Sequence, residues 1–289
     1  MYKIDFNEPI HIHFIGIGGI SMSGLAEILL KEGFTVSGSD TKESPLTKKL
    51  VSEGAHIIYG QKVENITRDI GCVVYTAAIN RNNPELIEAV ALKIPMLTRA
   101  ELLGQLMKNY DTPIAVSGTH GKTTTTSMIS HILLAGEMDP TISVGGILKA
   151  IGGNIRVGNS EIFVTEACEY TNSFLSFFPK ISVILNIDED HLDFFKDLAD
   201  IQHSFRRFAE LVPPAGSVIV NADNASAMEA VAGLEHPIFT FGLDHTADCT
   251  AANLTEVDGR PVFDVMIRGE KYARVELHVY GHHNVLNAL

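Results

Sequence analysis

The chain has 289 residues, of which 45% are hydrophobic, and a formal net charge of −13 at pH 7. This length predicts two domains with separate cores, and the acidic balance argues against a nucleic-acid-binding groove. No apolar run approaches the ~18 residues that cross a membrane, and no signal peptide is evident. The three scattered cysteines are typical of a reducing cytoplasm.

The first predicted element is a buried strand over residues 10–17, in which His11 and His13 alternate with apolar residues. A His-x-His pair can bind metal, but no third ligand lies nearby, so we interpret the pair as structural. The Gly-rich segment 16–24 follows and opens a helix. Backbone N–H groups at such a helix start bind phosphate.

A second strand, Phe34–Gly38, ends at Ser39 and Asp40. An acid about 20 residues past a Gly-rich turn commonly binds a ribose hydroxyl. The spacing is nearly that of a dinucleotide fingerprint, except that Ser21 stands where the third glycine would be. The pattern predicts a nucleotide phosphate site without identifying the nucleotide, so an NAD-dependent oxidoreductase is an alternative.

The rest of the first half continues the alternation of strands and helices. Strands are predicted at His56–Tyr59, Cys72–Thr76 and Pro95–Thr98, and helices at Pro45–Glu53, Pro84–Leu92 and Ala100–Tyr110. This order predicts a parallel, Rossmann-like sheet over residues 1–109 with right-handed crossovers. Residues 76–81 follow one strand end and are expected to line the same ligand site.

A second α/β domain is predicted over residues 110–289, after a linker at 109–113. Ile114–Val116 is read as a buried strand, followed by a turn from Gly118 to Gly121 and a helix from Lys122. Strand, Gly-rich turn and helix form a phosphate cradle, in which Lys122 can reach the outer phosphates and Thr123 can bind Mg²⁺.

This turn differs from the usual P-loop, because only two residues separate Gly118 from Gly121 instead of four. The alternative is a Gly-containing turn capped by threonines. Residues 152–158 form a polar segment containing Asn154 and Arg156. It fits a loop that closes on an anionic ligand, or equally a surface hairpin.

Two later strands, within 161–169 and 181–187, end in polar side chains. Parallel strands would bring Glu166 and His191 to the edge where the phosphates of the central turn lie. Both are therefore candidate Mg²⁺ ligands, although a histidine amid acids is often a surface residue in an ion pair.

The last third of the chain changes its pattern. Helices are predicted at Leu198–Leu211 and Asn224–Leu234, and strands at Ser217–Asn221 and Ile238–Phe241. From Ala247, two-residue alternation with turns at Asp258-Gly259 and Gly269-Glu270 predicts antiparallel hairpins. A helix begins after Gly281 and has no stop signal, so we expect a further segment to follow it.

Taken together, these motifs resemble the Mur ligases of peptidoglycan synthesis. The resemblance covers the first two of that family's three domains. It rests on segments 16–24, 117–124 and 186–193 and on residues 283–288, which occur together in this order.

The resemblance implies an ATP-driven amide bond. The lactyl carboxylate of UDP-N-acetylmuramate attacks the γ-phosphate to form an acyl phosphate, and the amine of L-alanine then displaces phosphate. Charge neutralisation and alignment dominate such a reaction. Without the third domain we expect no turnover, and measurable ligation by residues 1–289 would refute that expectation.

The resemblance also implies roles for individual residues. Lys122, Glu166 and His191 would be catalytic, and Thr123, Glu166 and His191 would bind Mg²⁺. The ATP site would comprise Gly118, Thr119, His120, Gly121, Lys122, Thr123, Thr124, His283 and Asn284, the last two near adenine. The UDP-sugar site would comprise Gly16, Gly18, Gly19, Ser21, Met22, Ser23, Ser39, Asp40, Thr76, Arg81 and Asn154.

One segment departs from the family pattern. The family's usual Glu-Ala-Asp-Glu-Ser at the first metal-binding glutamate is here Glu166-Ala-Cys168-Glu-Tyr170, so a role for the replaced acid is in doubt. No lysine matches the carbamylated lysine of other branches, in agreement with the L-alanine branch. Alternatives are a ligase that joins a recovered tripeptide to the same UDP-sugar, and a nucleotide-binding regulatory module.

Overall fold

The structure is a computed structural model that describes residues 2–76 and 79–289. The chain forms two compact units, each described here by itself. The first unit comprises Met1–Tyr110 and Thr141–Asn159, and the second comprises Asp111–Pro140 and Ser160–Leu289.

The first unit begins with alternating strands and helices, as the sequence predicts. Its strands are β1 (His11–Ile15), β2 (Thr35–Asp40), β3 (His56–Tyr59), β4 (Cys72–Tyr75) and β5 (Met96–Thr98). Its helices are α1 (Ile20–Lys31), α2 (Pro45–Ser52), α3 (Pro84–Ala91) and α4 (Arg99–Met107).

These five strands form a parallel sheet in the order β3-β2-β1-β4-β5. β1 lies at the centre of the sheet, where its apolar side chains Ile12, Phe14 and Ile15 are fully buried. The carboxyl ends of the strands share one edge, and the Gly-rich turn follows β1 at that edge. The predicted Rossmann-like sheet is confirmed.

Three helices of this unit, α2, α3 and α4, start at side-chain caps. The Asn83 Oδ1 accepts the N–H groups of Glu85 and Leu86 at 2.9 and 3.1 Å, with Pro84 at the first helical position. Thr98 and Glu101 form a reciprocal capping box at the start of α4. Such caps stabilise a helix start by ~1 kcal/mol, and they fix where α3 and α4 leave the sheet edge.

Within the described residues, ten further strands follow β5. They are β6 (Thr112–Ser117), β7 (Thr141–Leu148), β8 (Gly153–Arg156), β9 (Ile162–Glu166), β10 (Ile181–Ile184), β11 (Ser217–Asn221), β12 (Ile238–Gly242), β13 (Cys249–Val257), β14 (Arg260–Ile267) and β15 (Glu270–Glu276). The helices are α5 (Lys122–Ala135), α6 (Leu198–Ala209), α7 (Ala225–Val231) and α8 (His283–Ala288).

The β7–β8 pair is an antiparallel hairpin that groups with the first unit. Gly24 of α1 permits the close approach of Ile155, because a Cβ on Gly24 would lie 3.0 Å from the Ile155 Cβ. Residues 152–158 therefore belong to a hairpin, the second of the two predicted possibilities. The predicted boundary near residue 110 matches the start of the second unit, but segment 141–159 groups with the first.

The second unit is built around β6, which pairs in parallel with β9 and β10. Parallel pairing continues through β11 and β12 to β13, whereas β13, β14 and β15 are antiparallel. Gly259 and Gly269 have φ of +73° and +84° at the two hairpin turns. The predicted change from α/β to antiparallel structure after residue 247 is confirmed.

The second sheet is covered by apolar side chains from strands and helices. Val116, Leu185, Phe241, Phe263 and Val285 form one buried cluster, in which Val285 belongs to α8. In a separate group of aromatic rings, Phe174 stacks on Phe208 with ring centroids 4.6 Å apart. The helices of the described residues are all too short or too polar to cross a membrane.

Candidate functional site

The central Gly-rich turn, residues 118–121, links β6 to α5. Gly118 and Gly121 have φ of +142° and +85°, a region that favours glycine. A Cβ on Gly118 would lie 2.9 Å from the Leu185 Cβ, and one on Gly121 would lie 2.6 Å from the Asn287 Oδ1. Both positions therefore require glycine for conformation and for space.

The segment after β10 holds this turn in place. The Thr119 N–H donates to the Asn186 carbonyl at 3.1 Å, and the Asp188 N–H donates to the Thr119 Oγ1 at 2.9 Å. The Asn186 amide bonds both backbone groups of His120, accepting from its N–H at 2.7 Å and donating to its carbonyl at 3.1 Å. The predicted sequence motif included Asn186 without giving it this role.

The Lys122 ammonium group is anchored inside the turn. Its Nζ donates to the carbonyls of Gly118 and Thr119 and lies 3.0 and 3.2 Å from the two Glu169 carboxylate oxygens. The two side chains are only 17% and 3% exposed. Removing one member of such a pair leaves a buried, unbalanced charge, so Lys122 and Glu169 form one functional element.

Glu169 is the central residue that sequence reasoning missed. Its carboxylate bonds Lys122 and also lies 3.8 Å from the His191 Nε2. Glu169 follows β9 by three residues and therefore reaches the same sheet edge as Glu166. The sequence did carry a signal for Glu169, because it is a second acid directly after a strand that neighbours a phosphate turn.

Thr123 and Glu166 meet at this edge as predicted. The Thr123 Oγ1 donates to the Glu166 Oε2 at 3.0 Å, because Glu166 ends β9, whose neighbour β6 leads into the turn. Hydroxyl and carboxylate oxygens suit Mg²⁺. Within residues 2–76 and 79–289, no group of three His, Cys, Asp or Glu could hold a metal, so these two oxygens would need phosphate or water ligands to complete a Mg²⁺ site.

His191 lies next to Glu169 in an unusual backbone conformation, with φ of +51°. Its Nε2 faces the Glu169 Oε1 and its Nδ1 faces the Asp190 Oδ1, both at 3.8 Å. The Tyr170 ring lies on the imidazole with centroids 4.5 Å apart, and its hydroxyl donates to Asp193. The grouping of His191 with Thr123 and Glu166 stays a prediction.

A cleft of about 350 Å³ adjoins the central turn. Its walls combine apolar side chains with the amides of three asparagines and two histidine rings, a mixture that is typical of small-ligand sites. The lining residues are His120, Gly121, Thr124, Leu185, Asn186, Asn221, Phe241, His283, Leu286 and Asn287.

The end of the chain contributes to this cleft differently from the sequence prediction. His283 lines the cleft, but Asn284 is buried, with its Nδ2 donating to the Tyr280 carbonyl at 2.8 Å. Its Oδ1 accepts from the Asn287 Nδ2 at 3.0 Å. Asn287 and Leu286 line the cleft, and the contact of Asn284 with adenine stays a prediction.

The first Gly-rich turn, residues 16–19, is held by the end of β2. The Ser39 carbonyl accepts the N–H groups of Gly16 and Ile17 at 2.9 and 3.0 Å. The Asp40 Oδ2 accepts the Gly18 N–H at 2.7 Å. Gly16 has φ of +84° with open space around it. The predicted residues Gly16, Gly18 and Asp40 therefore lie together.

Three predicted ligand residues of this turn point into the protein instead. Met22 and Ser23 are 1% and 5% exposed, because they lie on the face of α1 that packs on the core. Ser39 is fully buried and its Oγ donates to Glu85. Gly19 and Ser21 are exposed at the start of α1. The first residues of α1 are thus exposed, whereas Met22 and Ser23 begin the part of the helix that packs on the core.

The remaining residues that were predicted to bind the UDP-sugar lie in separate segments of the chain. Thr76 is half-buried after β4, and its carbonyl accepts the Ile79 N–H at 3.1 Å. Arg81 is exposed and Asn154 is half-buried in β8. Ala77 and Ala78, which belong to the predicted segment 76–81, lie outside the described residues.

The chain matches two family models along most of its length. Residues 11–111 match the Mur ligase family, catalytic domain, and residues 116–289 match the Mur ligase middle domain. The UDP-N-acetylmuramate–L-alanine ligases of Agathobacter rectalis and Clostridium novyi are 61% and 55% identical to it over 290 and 278 residues. These matches cover 100% and 96% of the chain but only 63% and 60% of the relatives' length.

Solved structures with the same fold include two ligases. UDP-N-acetylmuramate:L-alanyl-gamma-D-glutamyl-meso-diaminopimelate ligase from Neisseria meningitides superimposes with a TM-score of 0.84 at 29% identity, covering 97% of this chain and 91% of that one. UDP-N-acetylmuramate-alanine ligase from Thermotoga maritima superimposes with a TM-score of 0.78 at 30% identity, covering 96% and 63%.

Proposed function

Because this chain belongs to the Mur ligase family, we propose that its activity is the ATP-dependent ligation of L-alanine to the lactyl carboxylate of UDP-N-acetylmuramate. The reaction belongs to peptidoglycan synthesis. The identities of 61% and 55% to relatives named for this reaction support the assignment.

The arrangement around Lys122 is the observation that carries the proposal. A glycine turn held by Asn186 surrounds an ammonium group at a helix start, next to a cleft lined by apolar, amide and imidazole side chains. Backbone N–H groups of such a turn can bind the phosphates of ATP while the ring enters the cleft. Gly118 to Thr124 form the proposed phosphate site, with His283 and Asn287 beside the base.

The chemistry requires two anions to meet, because a carboxylate attacks the γ-phosphorus of ATP. The oxygen–phosphorus bond forms as the bond to ADP breaks, which gives an acyl phosphate. The amine of L-alanine then attacks the carbonyl carbon and expels phosphate. Lys122 supplies positive charge at the phosphates, and Glu169 keeps that ammonium group directed along the turn.

Thr123 and Glu166 are the proposed Mg²⁺ ligands, with His191 as a further ligand. Bound Mg²⁺ would neutralise phosphate charge. The hydroxyl and carboxylate fit this role because they already meet at 3.0 Å. Glu169 lies between Lys122 and His191, so it would hold the ammonium and the imidazole on the same side of the transferred group.

We assign the UDP portion of the substrate to the first unit. The start of α1 has no side-chain cap, because Gly19 occupies the N-cap position. Its backbone N–H groups are therefore suited to a diphosphate. Asp40 is the proposed acceptor for a hydroxyl of the nucleoside, and Thr76, Arg81 and Asn154 are proposed to complete the site.

The amine substrate is the finer part of the proposal. The structure named for the tripeptide-adding ligase is 29% identical to the chain, compared with 61% for the A. rectalis protein named for L-alanine. Sequence identity thus favours L-alanine, although the tripeptide ligase superimposes with the higher TM-score. We assign the reaction to the cytoplasm, where nucleotide-activated sugars are made, in agreement with three cysteines that form no disulfide bond within the described residues.

Calorimetric titration of the 289-residue chain with UDP-N-acetylmuramate, with ATP and Mg²⁺, and with NAD tests the proposal. We expect the UDP-sugar and ATP to bind and NAD to give no heat. Binding of NAD without the UDP-sugar would overturn the ligase assignment of the first unit and favour an oxidoreductase. Binding of ATP alone would leave the first unit without its proposed substrate.

A further inference from the structure

A group of buried polar side chains lies under the first Gly-rich turn. At its centre is Glu85, the second residue of α3, whose side chain is completely buried. The Ser39 Oγ donates to the Glu85 Oε2 at 2.5 Å, and the Asn65 Nδ2 donates to the Oε1 at 2.5 Å. The His13 Nε2 lies 3.8 Å from the same Oε1.

The His-x-His pair of β1 extends this group. The His13 Nδ1 and the His11 Nε2 contact the Ser37 Oγ at 2.8 and 2.7 Å. At the other end, the His11 Nδ1 contacts the Asp69 Oδ2 at 2.7 Å. Hydrogen bonds therefore run from the solvent-exposed Asp69 through His11 and Ser37 to His13, whose Nε2 lies next to the buried Glu85 without a hydrogen bond to it.

Ser39 connects Glu85 to the turn. Its hydroxyl bonds Glu85, while its carbonyl accepts the N–H groups of Gly16 and Ile17. The next residue, Asp40, accepts the Gly18 N–H. One buried carboxylate thus fixes the strand end that orients three successive backbone N–H groups of the turn.

Helix capping does not explain the carboxylate. Asn83 already accepts the N–H groups of Glu85 and Leu86, so α3 starts without help from the Glu85 side chain. Stability alone also explains it poorly, because well-packed apolar residues usually stabilise a core at least as well as buried charged groups. The buried Glu85 carboxylate is explained if it holds Ser39 in a position on which ligand binding depends.

We propose that Glu85 is a positioning residue for the diphosphate site of the first unit, acting through Ser39 on the backbone of residues 16–18. This inference rests on the proposed function, in which that turn binds the UDP portion of the substrate. Glu85 touches no substrate, since it is fully buried. Its effect is to hold residues 16–18, whose own N–H groups donate to Ser39 and Asp40, so that the turn presents the uncapped N–H groups at the start of α1 to a nucleoside diphosphate.

The test uses Glu85→Gln in the 289-residue chain, with Glu88→Gln as the matched control. Glu88 lies one turn further along α3 and is only half-buried. We expect Glu85→Gln to weaken binding of UDP-N-acetylmuramate about tenfold, since a hydrogen bond to a buried charged group is lost. ATP affinity should stay within twofold, because its site lies in the other unit. Glu88→Gln should change neither affinity.

Hydrogen exchange separates positioning from general stability. Under the proposal, the amides of Gly16 and Ile17 exchange faster in Glu85→Gln, whereas the amides of α5 keep their rates. Ser39→Ala should weaken UDP-sugar binding similarly, and the double variant should be little worse than either single one. Additive effects would mean that Glu85 does not act through Ser39 and would overturn the inference.

The outcomes distinguish this inference from the proposed function. If the unaltered chain binds ATP but not the UDP-sugar, both are wrong. If it binds the UDP-sugar and Glu85→Gln binds equally well, the proposed function stands and the positioning role is overturned. If Glu85→Gln does not fold, Ser39→Ala decides, because an unchanged affinity for the UDP-sugar in that variant also overturns the role.

Discussion

The two Gly-rich turns share a strand–turn–helix framework but are held in different ways. The first, at 16–19, is bound by the end of its neighbouring strand β2, through the Ser39 carbonyl and the Asp40 carboxylate. The second, at 118–121, is bound by Asn186 after β10 and is followed by Lys122, which is paired with Glu169.

This difference shows that backbone geometry alone does not determine what a phosphate turn does. The first turn leads into a helix start without a side-chain cap, next to a carboxylate, which suits a diphosphate flanked by a ribose. The second adds a positive charge that can follow a phosphoryl group during transfer. Side chains from the neighbouring strand ends therefore separate a binding turn from a catalytic one.

The largest expected effect comes from removing the cation that distinguishes the second turn. Lys122→Met should weaken ATP binding about 10- to 100-fold, because a charge-assisted hydrogen bond contributes about 1.5–3 kcal/mol and Glu169 would be left unpaired. Binding of the UDP-sugar should be unchanged. Calorimetry on this variant and on the exposed control Lys196→Met measures both affinities, and an unchanged ATP affinity would contradict the assignment of Lys122.

Alanine substitution at the first glycine of each turn compares their backbones directly. Gly118→Ala should lower the free energy of unfolding by about 2–4 kcal/mol, because the backbone strain of its positive φ and the steric clash with Leu185 both contribute. Gly16→Ala should lower it by about 1–2 kcal/mol, because only the backbone strain contributes. Urea unfolding gives both values. Equal losses would show that space around Gly118 is not limiting.

A smaller effect is expected at the proposed Mg²⁺ ligand of the second turn. Thr123→Val keeps the shape of the side chain but removes the hydroxyl that meets Glu166, so the Mg²⁺ concentration needed for ATP binding should rise about fivefold. Ser127→Ala, four residues along α5, removes a hydroxyl that bonds only the Thr123 carbonyl in the described contacts. It should leave the Mg²⁺ requirement unchanged, and equal behaviour of the two variants would reject Thr123 as a ligand.

The smallest effect concerns the sheet behind the second turn. Hydrogen bonds from Asn253, Lys271 and Arg274 hold the pKa of Asp264 at about 2, below its ordinary value of 3.8. A lowered pKa in the folded state means that this stabilisation is complete above about pH 4 and is lost as the pH falls toward 2.

Thermal unfolding between about pH 5 and pH 2 should therefore be less acid-sensitive in Asp264→Asn than in the unaltered chain. The part of the transition that belongs to the second unit should respond, and the part that belongs to the first should not. Identical pH profiles would show that Asp264 contributes nothing to the acid sensitivity.

Sequence patterns predicted the elements well where local rules determine them. Helix starts such as Pro84, turns such as Asp258-Gly259 and buried strands such as β1 follow from nearest neighbours in the sequence, and each is confirmed. The antiparallel end of the second sheet was equally predictable from two-residue alternation.

Contacts between distant segments were not predictable in this way. Glu169 meets Lys122, 47 residues away, only because β9 and β6 are neighbours. Ser39 was predicted to contact the ligand, but its hydroxyl donates to the buried carboxylate of Glu85 instead. The hairpin of residues 141–159 groups with the first unit through packing of Ile155 on Gly24, which no periodic pattern encodes.

The sheet order of the second unit has a consequence for behaviour at high concentration. β15 ends that order, and an edge strand offers backbone groups to which another chain could add. Its exposed side chains include Glu270, Lys271, Arg274 and Glu276. Charges of both signs along this edge disfavour strand addition, because an approaching strand would have to desolvate them, and they therefore oppose aggregation through this edge.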